Sequence, residues 1–229
     1  MRFHTVLLAV LSPLIAAVAA GDLVQYEDTD RSVTAFMNSD GGTFQDTDSV
    51  WWYSTIEQGN EFGLVRAHQQ SDLSYDSLTF EGETRAIGNL FMGDAYSSSA
   101  LSTMLSLDSD VSVDLYWSYL LELEGASSGA AGMRVSTIEG HSLFDIDLQF
   151  EGDLSASSEM ELLAGSYLLE IYLDSSVAPF TVSDASTAFQ VSMAFSSVPS
   201  PGVLALLPIV ILALGARRRG ADRDGTWRW

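Results

Sequence analysis

Two histidines, His68 and His141, are the only imidazoles downstream of residue 20, and the chain has no cysteine. Thiolate metal sites, disulfides and a cysteine nucleophile are therefore excluded. The histidines lie in different strand-like segments, no G-x-S-x-G elbow supplies a nucleophile, and HExxH is absent. Paired carboxylates occur in Asp145-Ile-Asp147-Leu-Gln149, where alternate side chains share one face of a strand about 7 Å apart. Sandwich-fold glucanases place Glu, Asp and Glu at that alternation, but here the outer positions are Asp145 and Gln149, which lack the glutamate pair the chemistry needs. No catalytic residue is assigned on this basis, and the expectation is a protein that is not an enzyme. Oxygen-rich segments suit a hard cation, so Asp108, Asp110 and Asp114 are calcium candidates, without EF-hand spacing. Trp51, Trp52 and Tyr53 are three successive large rings that can stack on sugars. On a strand, Trp51 and Tyr53 face opposite to Trp52.

The elements that must carry these residues read as strands. Val111, Val113, Leu115, Trp117, Tyr119, Leu121 and Leu123 alternate with polar neighbours, the mark of a strand with one buried face. The same period runs through Phe144–Phe150, Tyr167–Leu173 and Phe189–Phe195, and less tidily through Val50–Ile56, Phe62–Gln69, Thr84–Phe91 and Leu101–Leu107. Turn signals fall at Asp40–Gly42, Glu81-Gly82, Gly125–Gly129, Glu139-Gly140, Glu151–Asp153 and Ala164–Ser166. No helical period persists between the two ends. The expected fold is all-β: an antiparallel β-sandwich, jelly-roll or Ig-like, over residues 21–197.

That body is acidic. Of the chain's 31 acidic residues, 29 lie there against four arginines (Arg31, Arg66, Arg85, Arg134), a net of −25, and lysine is absent. Such a field repels phosphate backbones, so no nucleic-acid partner is expected.

The two ends read as addresses. Residues 1–20 pair Arg2 with an apolar run and finish in small residues, a secretory signal peptide with cleavage expected at Ala19 or Ala20. The Sec translocon and signal peptidase are the implied partners. At the other end, Gly202–Ala216 is a 15-residue uncharged run broken by Pro208. It is short for the roughly 30 Å bilayer core, and Arg217, Arg218 and Arg219 stop it with the tail inside. Val198, Pro199, Ser200 and Pro201 precede it, and the two prolines keep the backbone extended and accessible.

This arrangement resembles the PEP-CTERM sorting signal of bacterial exosortase substrates. Ser200 stands where that family carries Glu, and ten residues (220–229) follow the arginines as a short tail. The resemblance covers 198–219 and implies transient inner-membrane anchoring through a single transmembrane helix, recognition by an exosortase, and transfer to the cell surface or extracellular matrix. The resulting expectation is an exported, non-enzymatic envelope or matrix protein with exopolysaccharide as a ligand. The alternatives are a secreted carbohydrate-active enzyme with an unrecognised carboxylate site and a permanently anchored binding module.

Overall fold

A computed structural model describes residues 23–198, apart from 39, 48 and 62. The expected signal peptide, Pro199, Ser200, Pro201, the apolar run, Arg217–Arg219 and the short tail lie outside the described residues. Among the described residues no helix is long and apolar enough to cross a membrane.

The described residues form twelve strands, β1 (Gln25–Met37), β2 (Asp40–Thr47), β3 (Trp51–Asn60), β4 (Gly63–Ser74), β5 (Ser77–Gly88), β6 (Ala95–Leu107), β7 (Val111–Glu124), β8 (Ser127–Thr137), β9 (Ser142–Leu148), β10 (Gly152–Leu162), β11 (Gly165–Val177) and β12 (Ser183–Ser197). They build two antiparallel sheets, all-β as the alternation predicts. Sheet A has the order β2-β1-β6-β11-β8-β9 and sheet B the order β10-β7-β12-β5-β4-β3. The order separates the two sandwich types that the sequence leaves open. β5 neighbours β12, β6 neighbours β11, β7 neighbours β10 and β8 neighbours β9, which is a nested hairpin folded over itself. That winding is a jelly roll. β1-β2 and β4-β3 then widen each sheet by two strands.

Alternation sends one set of side chains from every long strand into the space between the sheets. In β7, Val111, Val113, Leu115, Tyr119 and Leu121 are buried, and in β11 Tyr167, Leu169, Ile171 and Leu173. The interior is not uniformly apolar. A large cluster centred on Phe80, Leu105, Leu115, Met133 and Phe189 is separated from a smaller one around Met37, Val65, Met92 and Val177. Between them runs a belt of buried polar side chains. The Ser175 hydroxyl is 2.9 Å from both the Thr84 and Thr187 hydroxyls, and Thr187 donates to the Asp174 carbonyl at 2.7 Å. With its amide oriented to donate, Gln69 reaches the Ser99 hydroxyl (2.9 Å) and the Ser32 and Ala100 carbonyls (3.2 and 3.0 Å). Each of these five finds a partner, which makes its burial tolerable; the buried Ser71 hydroxyl has none among the described residues.

Several local expectations change. Glu81-Gly82 is not a turn but the middle of β5, with Gly82 where Leu173 of sheet A presses closest; a Cβ there would meet the Leu173 Cδ2 at 2.5 Å. The Thr84–Phe91 run stops as strand at Gly88, leaving Leu90 and Phe91 exposed. Phe150 lies beyond β9, its ring edge-on to Tyr119 with centroids 6.3 Å apart.

Candidate functional site

The outer face of sheet B is built by the residues that alternation turns away from the core. On β4, Val65, Ala67, Gln69, Ser71 and Leu73 are buried, so His68, Gln70 and Asp72 point outward. The β3–β4 register pairs Trp51 with Asp72, Tyr53 with Gln70 and Thr55 with His68. Trp51 and Tyr53 therefore stand on the outer face of an edge strand, and Trp52 points inward opposite Ser71, as the period of two requires. Trp51 is 58 % and Tyr53 55 % exposed. Their planes lie within 10° of parallel with centroids 6.4 Å apart. The His68 ring meets Tyr53 edge-on at 4.9 Å, and its Nδ1 is 3.0 Å from the Thr55 hydroxyl. Large apolar rings held open to solvent, parallel and braced from behind, are available to stack on a flat apolar surface.

The entry to this strand is fixed by a buried cation. Arg31, on the inner side of β1, is fully buried and donates to the carbonyls of Ser49 and Val50 and to Asp46. Leu73 N–H also donates to the Val50 carbonyl, at 2.8 Å. The two residues before Trp51 are thus held by their carbonyls. Burial lowers the Arg31 pKa, with Asp46 opposing the shift, and the guanidinium stays charged.

From His68 a shallow groove of about 210 Å³ crosses the same face. Glu81 and Glu83 of β5, Gln190 of β12, Leu120 of β7 and Asp153 of β10 line it. The register sets Glu83 opposite Ala188, Glu81 opposite Gln190 and Leu120 opposite Asp153. The short Ala188 side chain between Glu83 and Leu120 makes the furrow. The three ion pairs of the described residues are Arg31–Asp46, Arg85–Asp184 and Arg134–Asp145. None of them engages Glu81, Glu83 or Asp153, whose oxygens face the groove as free acceptors.

Sheet A carries a groove of about 290 Å³ between Asp30, Arg134, Glu170 and Tyr172, in which Arg134 and Tyr172 are already engaged by carboxylates of β9. Arg134 pairs with Asp145 at 3.2 Å, Tyr172 donates to Asp147 at 3.0 Å, and Gln149 donates to both Asp147 oxygens. Burial first, and then the bond to Asp147, push the Tyr172 hydroxyl up to about 12. The carboxylate strand picked out in the sequence is therefore a self-satisfied outer surface.

The calcium candidates do not converge. Asp110 accepts the Ala164 N–H at 2.9 Å, closing the turn before β11, and Asp114 sits within β7 opposite Glu159 of β10. Among the described residues no group of three or more His, Asp or Glu is placed to hold a metal. His141 lies in the turn between β8 and β9, its N–H 3.3 Å from the Thr137 hydroxyl. Of the sorting motif, Val198 alone is described, just past the end of β12.

Sequence reasoning found the ring triplet and missed the groove. Glu81, Glu83, Leu120, Asp153 and Gln190 come from four strands, and only the strand order brings them together.

No family model matches the sequence, and no curated protein is similar to it. Among solved structures, the chain is similar to TmCBM61 in complex with β-1,4-galactotriose (13 % identity over 66 % of this chain and 90 % of that one, TM-score 0.29). It is also similar to the CBM22-1 xylan-binding domain of Paenibacillus barcinonensis Xyn10C (12 % identity, 63 % and 87 % covered, TM-score 0.21). A third likeness is to the enzymatically active domain of bacteriophage CBA120 tailspike protein 4, of which this chain spans 20 % (12 % identity over 66 % of this chain, TM-score 0.27). Superpositions this loose identify no family, and the fold assignment stands on the strand order.

Proposed function

We propose that this chain is an exported, non-enzymatic envelope or extracellular-matrix protein whose sandwich binds polysaccharide on the outer face of sheet B. The observation that carries the reading is the exposed, near-parallel Trp51–Tyr53 pair on an edge strand, braced by His68 and opening onto a groove of free hydrogen-bond acceptors. Pyranose rings present flat C–H faces to aromatic rings and hydroxyl donors at their rims, and this surface offers both complements. Delivery follows from the ends of the sequence. The signal-peptide pattern over 1–20 sends the body out, and the Val198–Pro201 motif with Arg217–Arg219 makes the chain a substrate for an exosortase at the inner membrane.

Affinity electrophoresis of the full chain against a panel of soluble polysaccharides tests the binding. Trp51→Ala with Tyr53→Ala is expected to weaken retention at least tenfold, about 1.4 kcal/mol. The thermal midpoint should not move, because both rings are surface residues. Retention unchanged in the double variant sinks the reading. Incubation with the retained polysaccharide should release no new reducing ends; steady release abolished by Glu81→Gln or Glu83→Gln would instead make the chain a carbohydrate-active enzyme.

A further inference from the structure

The face of sheet B also constrains what kind of glycan it takes, and this step rests on the reading just given. In the order β3-β4-β5-β12-β7-β10, the outward residues His68, Glu83 and Ala188 stand opposite one another, Leu120 stands opposite Asp153, all five line one groove, and the Tyr53 ring reaches its His68 end from β3. Five inter-strand steps of about 4.8 Å give a row of about 24 Å, far longer than one sugar. Both ends of the row are edge strands, so no further strand of the sheet walls it off. A chain can enter at one edge and leave at the other.

The charge of the row is one-sided. Glu81, Glu83 and Asp153 face it without a basic partner. The arginines of this face are Arg66 and Arg85, which pair across β4 and β5 beyond His68 and Glu83, and Arg85 is held by Asp184 at 2.7 Å. A uronate or sulfate in the groove would meet three carboxylates, with a body of net −25 around it; Arg66, which is in no ion pair of the described residues, lies two positions along β4 from His68 and does not line the groove. Hydroxyl groups meet acceptors instead, and a hydroxyl donating to a carboxylate is a strong neutral–ionic hydrogen bond.

We propose that the ligand is the interior of an uncharged, extended polysaccharide lying across the strands of sheet B, from the Trp51–Tyr53 pair to Asp153.

The test titrates the full chain with neutral gluco-, xylo- and galacto-oligosaccharides from disaccharide to octasaccharide, with alginate as the polyanion and chitosan oligomers as the polycation. Affinity for at least one neutral series should rise with length and level off once the chain spans the face, with little dependence on salt. Asp153→Ala and Leu120→Ser, both at exposed positions, should weaken the octasaccharide several-fold and leave the disaccharide unchanged. Alginate binding as tight as the neutral series, or preference for chitosan over its N-acetylated form, overturns the uncharged class. Affinity independent of length, or variants at Asp153 and Leu120 without effect on the octasaccharide, overturns the crossing path. In each of those cases a loss on Trp51→Ala would leave the site itself standing, whereas no binding to any glycan would remove site and ligand class together.

Discussion

Arg31 does at the level of one residue what the fold needs before the rings can be presented. Its side chain heads the largest fully buried ones, and its Nε has no partner while the terminal nitrogens hold Asp46, Ser49 and Val50. Arg31→Met keeps an unbranched apolar stem and removes those donors. The Ser49 carbonyl then loses its donor, at a cost of about 1–3 kcal/mol. Urea unfolding should show a lower midpoint with an unchanged slope, and polysaccharide retention should weaken although Trp51 and Tyr53 are intact. Full retention in a destabilised Arg31→Met would show that the arginine supports the core and not the rings. The opposed faces of Trp51 and Trp52 were legible from a period of two alone. The role of Arg31 was not, because a lone arginine in an alternating acidic stretch reads as a surface charge until Ser49 and Val50 fold over it.

At the scale of elements, strands with a full apolar face announced themselves, and strands that hide little or pack against small residues did not. β10 is an edge strand, mostly exposed, and its sequence GDLSASSEMEL carries almost no apolar alternation. The start of β8 falls inside the Gly125–Gly129 turn signal and no apolar alternation marks the rest, yet Gly132 lies under the Tyr172 ring, where a Cβ would come within 2.6 Å of the hydroxyl. Gly82 shows the same error in reverse, taken as a turn when it is a point of close approach between sheets. Gly82→Ala forces Leu173 out of its position against Phe80 and should cost about 1–3 kcal/mol by overpacking. Adding Leu173→Val shortens the obstructing side chain and should recover part of that loss, so the two changes should be non-additive in chemical denaturation. Additive losses would mean that the strain lies in the β5 backbone and not at the Leu173 contact.

For the whole molecule, the described chain begins and ends beside one turn. Val24 N–H donates to the Tyr75 carbonyl and Phe195 N–H to the Asp76 carbonyl, so both connections leave the sandwich at the β4–β5 hairpin. Trp51, opposite Asp72, stands near that hairpin on the outer face of sheet B, and the groove runs from His68 across the sheet to Asp153. On the delivery proposed above, residues 198–219 decide where the protein ends up. If Val198–Pro201 is a processing site, cells with an exosortase should yield a mature protein without the apolar run and Arg217–Arg219, its new C-terminus found by mass spectrometry near the motif. Pro199→Ala with Pro201→Ala lets a helix extend upstream and removes the extended backbone that a protease needs, so the protein should remain in the inner membrane. Arg217–Arg219 changed to Ser should instead weaken stopping, because the charges that keep the tail inside are gone. A plain anchor makes the opposite forecast: chain still carrying 217–229 stays in membranes with or without an exosortase, and the proline changes do nothing. Recovery of that intact species from cells that process other such substrates would reduce the tail to an anchor and leave the proposed polysaccharide-binding face displayed at the membrane.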